Sequence, residues 1–437
     1  MKFILPSLPE VKKYLREPIY KNSFFLLLSS GIGSILGFVF WIIAARLYTT
    51  SEVGTVSALI AAMALVAGFS RFGFGVGIIR FLSAEKDKIG MINSCLTIIG
   101  LVSLVISLVF VAGLNLWSPA LSFMHQDMPF LISFVVFTVA FTITIQLNST
   151  YIAFRRAEFS LFQGTIIGLS RIALPALALS ATAIGLFLSW GVGLLLAIIL
   201  GLFLFLPKLY RGYRPLPTIK MKIVQGIGFY SFMNYISMIL ANLPRYLLPL
   251  IIINILGPET TAYFRMAWTI SSVLFVIIPI QICSSLLAEG AYDQQKLRSN
   301  VIRAAVIILA LIIPSIAIIL LFGDKILLLF GAAYSENGFT LLWILALSSI
   351  PIAFIEICLT IRQVQLRMKS LILVYGLTTV LVLAVIYALI PHYGLVGVGI
   401  GWTAGQTAVA IILGILIIAK WGWPVVETLK NLLRLKR

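Results

Sequence analysis

The sequence predicts an all-α polytopic membrane protein of about twelve transmembrane helices in two six-helix halves. Three observations carry that prediction. Apolar residues make up 61% of the 437-residue chain and charged residues 11%, with a mean hydropathy of +1.10. A soluble domain is typically about half apolar and a quarter charged, so this chain lacks the side chains to cover a water-facing surface, and lipid must be its main solvent. Apolar runs of roughly 20 residues, the length that crosses a bilayer as a helix, recur from one end to the other. The alternating segments of about ten residues that mark a membrane β-barrel are missing. Basic residues, finally, fall in every second connection.

Taken in order, the runs place spans near 22–46, 53–81, 92–114, 129–154, 160–181, 184–206, 225–256, 262–288, 300–322, 338–361, 371–390 and 394–419. The first run is too long for a signal-peptide core and has no small-residue cleavage site, so it stays as the first span. The 160–206 stretch is nearly continuous, and Ala181, Thr182 and Gly185 mark its turn. Residues 1–21 form a cytoplasmic segment, 22–206 an N-terminal six-helix lobe, and 207–224 a cytoplasmic linker with Pro215, Pro217 and five basic residues. Residues 225–420 form the C-terminal lobe, and 421–437 a basic amphipathic tail on the inner interface. Six spans before the linker give both lobes the same orientation, the layout of a parallel repeat. The turn around Tyr48–Thr55 recurs in position around Leu256–Tyr263, and Gly185-Leu186 recurs at Gly394-Leu395.

With the N-terminus in the cytoplasm, 26 of the 32 Lys and Arg residues lie on the inner side, as the positive-inside rule requires. Both termini are then cytoplasmic and the setting is a cell membrane. Arg46, Arg265 and Lys325 stand near the outer side, where Arg46 and Arg265 read as snorkelling to lipid phosphate. Most of the net charge of +18 is a topology signal that also meets anionic lipid headgroups; nucleic acid is not an expected partner. Cys95, Cys283 and Cys358 sit singly in apolar runs without disulfide or metal spacing. His125, Asp127 and His392 read as solvated loop residues, and no metal or cofactor is expected.

Several patches resemble the polysaccharide and lipid-linked oligosaccharide flippases, within the superfamily that also holds the multidrug and toxin extrusion transporters. Ala45-Arg46-Leu47 through Glu52-Val53-Gly54 is similar to that family's turn after helix one. The usual Leu-Gly-Pro-Glu form is absent there and present as Leu256-Gly257-Pro258-Glu259. Arg80-Phe81-Leu82-Ser83-Ala84-Glu85 resembles the basic-aromatic end of helix two, and Leu328-Leu329-Phe330-Gly331 with Tyr334 the short external turn before helix ten. With the two-times-six layout the resemblance covers essentially the whole chain. It implies two lobes around a central cavity, and movement of a polyprenyl-phosphate-linked glycan across the bilayer.

Ionisable groups within a membrane cost at least about 2.5–3.5 kcal/mol each on insertion scales, and so face a cavity or a partner. Arg71 in span two, Arg171 in span five, Arg245 in span seven and Glu356 in span ten form such a set, net cationic. That sign suits a pyrophosphate, whose oxygens match the planar guanidinium fork. Arg71, Arg171 and Arg245 are therefore the substrate-binding candidates; the competing reading is helix packing, through a carbonyl or Glu356. Glu356 is read first as an ion pair, because buried acids are normally paired, and second as a proton or sodium coupling site. Asn242, Pro244 and Pro249 interrupt span seven near mid-depth and mark a hinge or portal. The small residues of span one, Ser29 to Gly37, fit either a matching interruption or close helix packing.

No nucleophile–base pair, phosphate-cradling loop or zinc signature is present, and external loops are short. A glycan polymerase or glycosyltransferase is therefore the least favoured class, and no catalytic residue is assigned. The expectation is a flippase for a lipid-linked oligosaccharide working by alternating access in cell-surface polysaccharide biosynthesis. Its expected partners are that substrate, membrane lipids and glycan-assembly proteins. A multidrug or small-solute exporter of the same superfamily is the alternative, and the buried arginines weigh against cationic drugs.

Overall fold

The computed structural model describes residues 18–176, 182–292, 297–365 and 367–421. Residues 1–17 of the expected N-terminal segment, Ala181, Lys296 and the expected tail beyond Trp421 lie outside the described residues. Every regular element among the described residues is helical. In chain order the longer helices are α1 (Pro18–Leu47), α2 (Thr50–Ser70), α3 (Phe74–Phe81), α4 (Lys88–Ala112), α5 (Met128–Ala153), α6 (Glu158–Ala176) and α7 (Ala183–Leu200), which continues through a π turn to Leu209. After the linker come α8 (Met221–Leu256), α9 (Pro258–Ser272), a π turn, α10 (Ile278–Tyr292), α11 (Leu297–Leu328), α12 (Ala332–Leu347), α13 (Ser349–Val364) and α14 (Met368–Trp421).

Among the described residues, ten segments are long and apolar enough to cross a membrane. The last of them, Met368–Ala419, is 52 residues, about 80 Å at the helical rise against a hydrocarbon core of roughly 30 Å. It is two crossings. Gly394 leaves the helical region with φ 54° and ψ −133°, a conformation open to glycine, and the two arms then pack backbone to backbone. A Cβ at Gly397 would stand 2.6 Å from the Leu389 carbonyl oxygen, at Gly401 2.6 Å from Ile386, and at Gly405 2.7 Å from Val382. Helix α6 supplies a further crossing of 19 residues, polar through Glu158, Gln163 and Arg171. The crossings thus number twelve among the described residues.

Compact packing divides the chain into a first unit, 1–265 with Leu329–Gly331, and a second, 266–328 with 332–437. The division falls inside α9 instead of in the 207–224 linker. Helix α8 packs on α2, α3 and α4, and the linker itself is tied to α4. Asn93 Nδ2 donates to the Arg214 carbonyl at 2.8 Å, the Lys220 amide donates to Ser94 Oγ at 2.9 Å, and the Thr218 amide donates to Thr97 Oγ1 at 3.2 Å. Lys220 Nζ pairs with Asp87, whose carboxylate also caps α4 by accepting from the Gly90 amide at 2.9 Å. Tyr213 is buried in the cluster of Phe74, Ile78, Cys95, Tyr151 and Leu206.

Within the first unit the three family-like turns meet. Thr49 and Glu52 form a reciprocal capping box at the start of α2, which satisfies two of the otherwise unpaired amides there. Gly54 backs onto Pro258: a Cβ there would lie 1.7 Å from the Pro258 carbonyl oxygen. Arg46 Nε donates to the Leu329 carbonyl at 2.9 Å, and Phe38 meets Phe330 edge to face at 5.3 Å. Arg46 is thus a helix-end tether to protein, where the sequence pointed to lipid. His125 and Asp127 also have protein roles: His125 Nε2 bonds the Val111 carbonyl at 2.8 Å, and Asp127 caps α5.

In the second unit, α11 shows what lipid demands of a helix. Ala304, Ile308, Ile312, Ile316, Ile319, Gly323 and Leu327 form its buried stripe at three- and four-residue spacing. The opposite face presents Val306, Leu309, Ile313 and Leu321, which are as apolar as the core because acyl chains lie outside. Trp268, Phe275 and Trp402 stack edge to face around the π turn Val273–Ile277.

Asp87→Asn should loosen the linker and speed tryptic cleavage after Arg211, whose side chain, like that of Arg214, is already exposed. The Lys220 ammonium and the Gly90 amide hold the Asp87 carboxyl below its ordinary 3.8. The carboxylate's part in this attachment is therefore present above that range and lost as pH falls through the folded value. Tryptic cleavage at neutral pH checks the substitution; unchanged digestion would contradict the tether.

Candidate functional site

Helix α2 ends at Ser70 after 21 residues, a length that crosses a bilayer, and the chain breaks before the next helix. Arg71 closes it with φ −82°, Phe72 takes φ 42°, Gly73 takes φ 76°, and α3 restarts at Phe74. In lipid every freed backbone group needs a partner inside the protein. The Tyr235 hydroxyl of α8 donates to the Phe69 carbonyl at 2.6 Å, and the Phe74 amide donates to the Arg71 carbonyl at 2.9 Å. A left-handed conformation costs a residue with a Cβ about 1–2 kcal/mol; Phe72 carries it while its ring lies 5.5 Å from that of Tyr235. Gly73 takes it freely.

The break opens onto a cavity of about 160 Å³. Arg71, Gln146, Ser149, Tyr235 and Tyr246 are its polar lining, and Val76, Ile79, Ile145, Met238 and Ile239 its aliphatic walls. Two of these groups are unsatisfied. Arg71 Nε is buried without a hydrogen-bond partner, and Gln146, 0% exposed, has neither its amide oxygen nor its amide nitrogen paired. Leaving a buried donor or acceptor unpaired costs about 1–3 kcal/mol, and these three atoms lie behind the wall of one small cavity. The neighbouring hydroxyls of α5 are otherwise spent: Thr142, Thr144 and Thr150 each donate to the carbonyl four residues back.

Of the residues the sequence singled out, the cavity takes Arg71. Arg171 lies elsewhere in the first unit, its guanidinium carbon 4.2 Å from the centre of the Trp190 ring and its Nε buried without a partner. Arg245 is on α8, one residue before Tyr246, and is outside the cavity lining. Asn242 donates to its own helix, to the Met238 carbonyl at 2.8 Å, and α8 runs on through Pro244 and Pro249. Glu356 is on α13 in the second unit, with Cys283 and other groups near it. Arg265, read as an outer-end residue, sits 4.6 Å over the buried Trp41 ring. No group of metal-ligating side chains is found among the described residues.

Gln146, Tyr235 and Tyr246 escaped sequence reasoning. Gln146 had one readable signal. It stands in a run of Thr and Ser that bond back to their own helix, and its longer side chain is the one that reaches past it.

The model of a family described as polysaccharide biosynthesis proteins matches residues 19–280. This chain belongs to that family. A candidate O-antigen transporter of Shigella flexneri is 24% identical over 194 residues, 43% of this chain and 44% of that protein, so the match spans under half of either. Among solved structures, the lipid II flippase MurJ in an inward closed conformation superposes with a TM-score of 0.72 at 14% identity, covering 93% of this chain and 89% of its own. A multidrug resistance transporter of the MATE family, inward-facing, gives 0.66 at 17% identity, covering 91% and 99%. The chain shares their all-α, multi-pass membrane fold.

Gly73→Ala should destabilise the protein by about 1–2 kcal/mol through its left-handed backbone. Tyr235→Phe should cost about 0.5–1.5 kcal/mol through the lost bond to Phe69. Thermal unfolding in detergent measures both, and wild-type stability in both would mean the break is not held as described.

Proposed function

We propose that the protein is a flippase that carries a polyprenyl-phosphate-linked oligosaccharide across the cell membrane by alternating access, with both termini in the cytoplasm. One observation carries this reading: a guanidinium at the end of a spanning helix, at a left-handed break, lines a cavity beside an unpaired amide. A half-exposed guanidinium whose Nε has no partner favours an anion, and phosphate oxygens in particular. Family membership and the flippase among the structural neighbours support it. The lipid tail stays in acyl chains, and the headgroup takes the polar path.

Arg71 contacts the anionic head directly. Arg171 and Arg245 serve as further contacts on the same path, Arg171 held in place by Trp190. The break at Arg71–Gly73 and the proline-bearing segment Asn242–Pro249 act as hinges. Glu356, already engaged with neighbouring groups, is a structural carboxylate; ion coupling through it is the secondary reading. Glycan-assembly proteins supply and remove the substrate, and the chain performs no bond chemistry of its own. A multidrug exporter would take cationic drugs, and a cavity lined by Arg71 repels them.

Arg71→Ala should abolish glycan delivery with protein levels intact, and Arg171→Ala and Arg245→Ala should reduce it. Lipid-linked intermediates should accumulate on the cytoplasmic side in each case. Full delivery by all three variants, or export of a cationic dye by the wild type, would overturn the proposal.

A further inference from the structure

We infer that the connecting segment Arg214–Lys220 is a re-entrant wedge in the cytoplasmic leaflet, with its apolar tip among acyl chains and its basic flanks on anionic phospholipid headgroups. The inference goes beyond the proposed transport and does not depend on its substrate. Helix α4 sets the depth. The segment meets that helix first at Asn93, lies deepest at Thr97, and returns to Ser94 and Asp87. Thr97 is nine residues beyond Lys88, about 13 Å along the helix, which is within the inner half of a hydrocarbon core of roughly 30 Å.

The side of α4 that the segment covers is the side turned to lipid. At helical spacing Asn93, Ser94 and Thr97 share a face with Leu101, Leu104, Val105 and Leu108. Those four aliphatic side chains are exposed, whereas Asn93 and Ser94 are buried. Irregular backbone is tolerated at membrane depth only where protein satisfies its polar groups. Here Pro215 and Pro217 carry no amide hydrogen, and the Leu216 amide donates to the Arg214 carbonyl at 2.9 Å. The Thr218 hydroxyl donates to the Leu216 carbonyl at 3.0 Å, and the Thr218 and Lys220 amides donate to hydroxyls of α4. Leu216 and Ile219 remain 60% and 49% exposed, and they continue the aliphatic stripe of α4 toward the cytoplasm.

Charge picks out the lipid. Lys86, Arg211 and Arg214 are exposed around the ends of the segment, and Lys88 stands 5.9 Å from the centre of the Tyr210 ring. The acids beside them are engaged: Glu85 accepts from the Asp87 amide, and Asp87 accepts from Lys220 and from the Gly90 amide. The two guanidinium groups are placed for phosphate oxygens. A basic side chain at a membrane surface raises the local occupancy of anionic lipid on the order of fivefold.

Bimane fluorescence from Leu216→Cys, Ile219→Cys and Arg211→Cys proteins tests both parts, with the full chain in nanodiscs of phosphatidylcholine and phosphatidylglycerol. Cys95, Cys283 and Cys358 are buried and stay unlabelled. Lipids carrying a doxyl quencher on the acyl chain should quench the label at 216 and 219 several-fold more than at 211, and aqueous iodide should give the reverse order. At equal mole fraction, doxyl-phosphatidylglycerol should quench the label at 216 more than doxyl-phosphatidylcholine does. Arg211→Gln together with Arg214→Gln should remove that preference. Iodide reaching 216 as readily as 211, or a label at 216 shielded from both quenchers, would overturn the wedge. Equal quenching by the two lipids with both arginines in place would overturn the headgroup contact.

Discussion

The first unit turns on one half-buried charge at one broken helix. Hydrocarbon offers a guanidinium no partner, and it offers freed backbone groups none either. At Arg71 both problems arise at the same residue. Neighbouring helices answer the backbone through Tyr235 and the restart at Phe74, while the charge is left facing a cavity. The strain at Phe72 and the glycine at 73 are the local costs of breaking the chain at Arg71.

The rest of the first unit follows from holding that break steady. Helix α8 must lie close to α2 for Tyr235 to reach Phe69, and Gly68 permits it, since a Cβ there would already stand 3.3 Å from the Tyr246 ring. The linker, pinned through Asp87, Asn93, Ser94 and Thr97, keeps the start of α8 against α4. The compact unit therefore extends past the point where composition alone would cut the chain. Burying Arg171 against Trp190 and Arg265 against Trp41 uses the ring faces that cations favour where water is scarce.

The spans were legible because hydropathy and length are the signals lipid imposes, and even the turn at Gly394 was marked by its glycine. Arg71 was legible because a charge in an apolar run is costly. The company it keeps was not. Tyr235 and Tyr246 come from a helix more than 160 residues away, and nothing in a single sequence says that α8 meets α2. Arg46 and Arg265 were misjudged for the same reason: position near a helix end fits snorkelling equally well when a carbonyl or a tryptophan ring is the true neighbour. The basic, proline-bearing linker was visible as a connection, but its hydrogen bonds to α4 run through backbone amides and carbonyls that side-chain identity does not reveal.

The central claim is that Arg71 makes a water-accessible cavity receptive to a diphosphate. A cysteine at Val76, on the cavity wall, reports on that directly, since Cys95, Cys283 and Cys358 are buried. In Val76→Cys protein, an anionic methanethiosulfonate should modify the new thiol, and a polyprenyl diphosphate should slow the modification. Adding Arg71→Ala should remove that protection. A thiol that no water-soluble reagent reaches, or protection that persists without the guanidinium, would contradict the account.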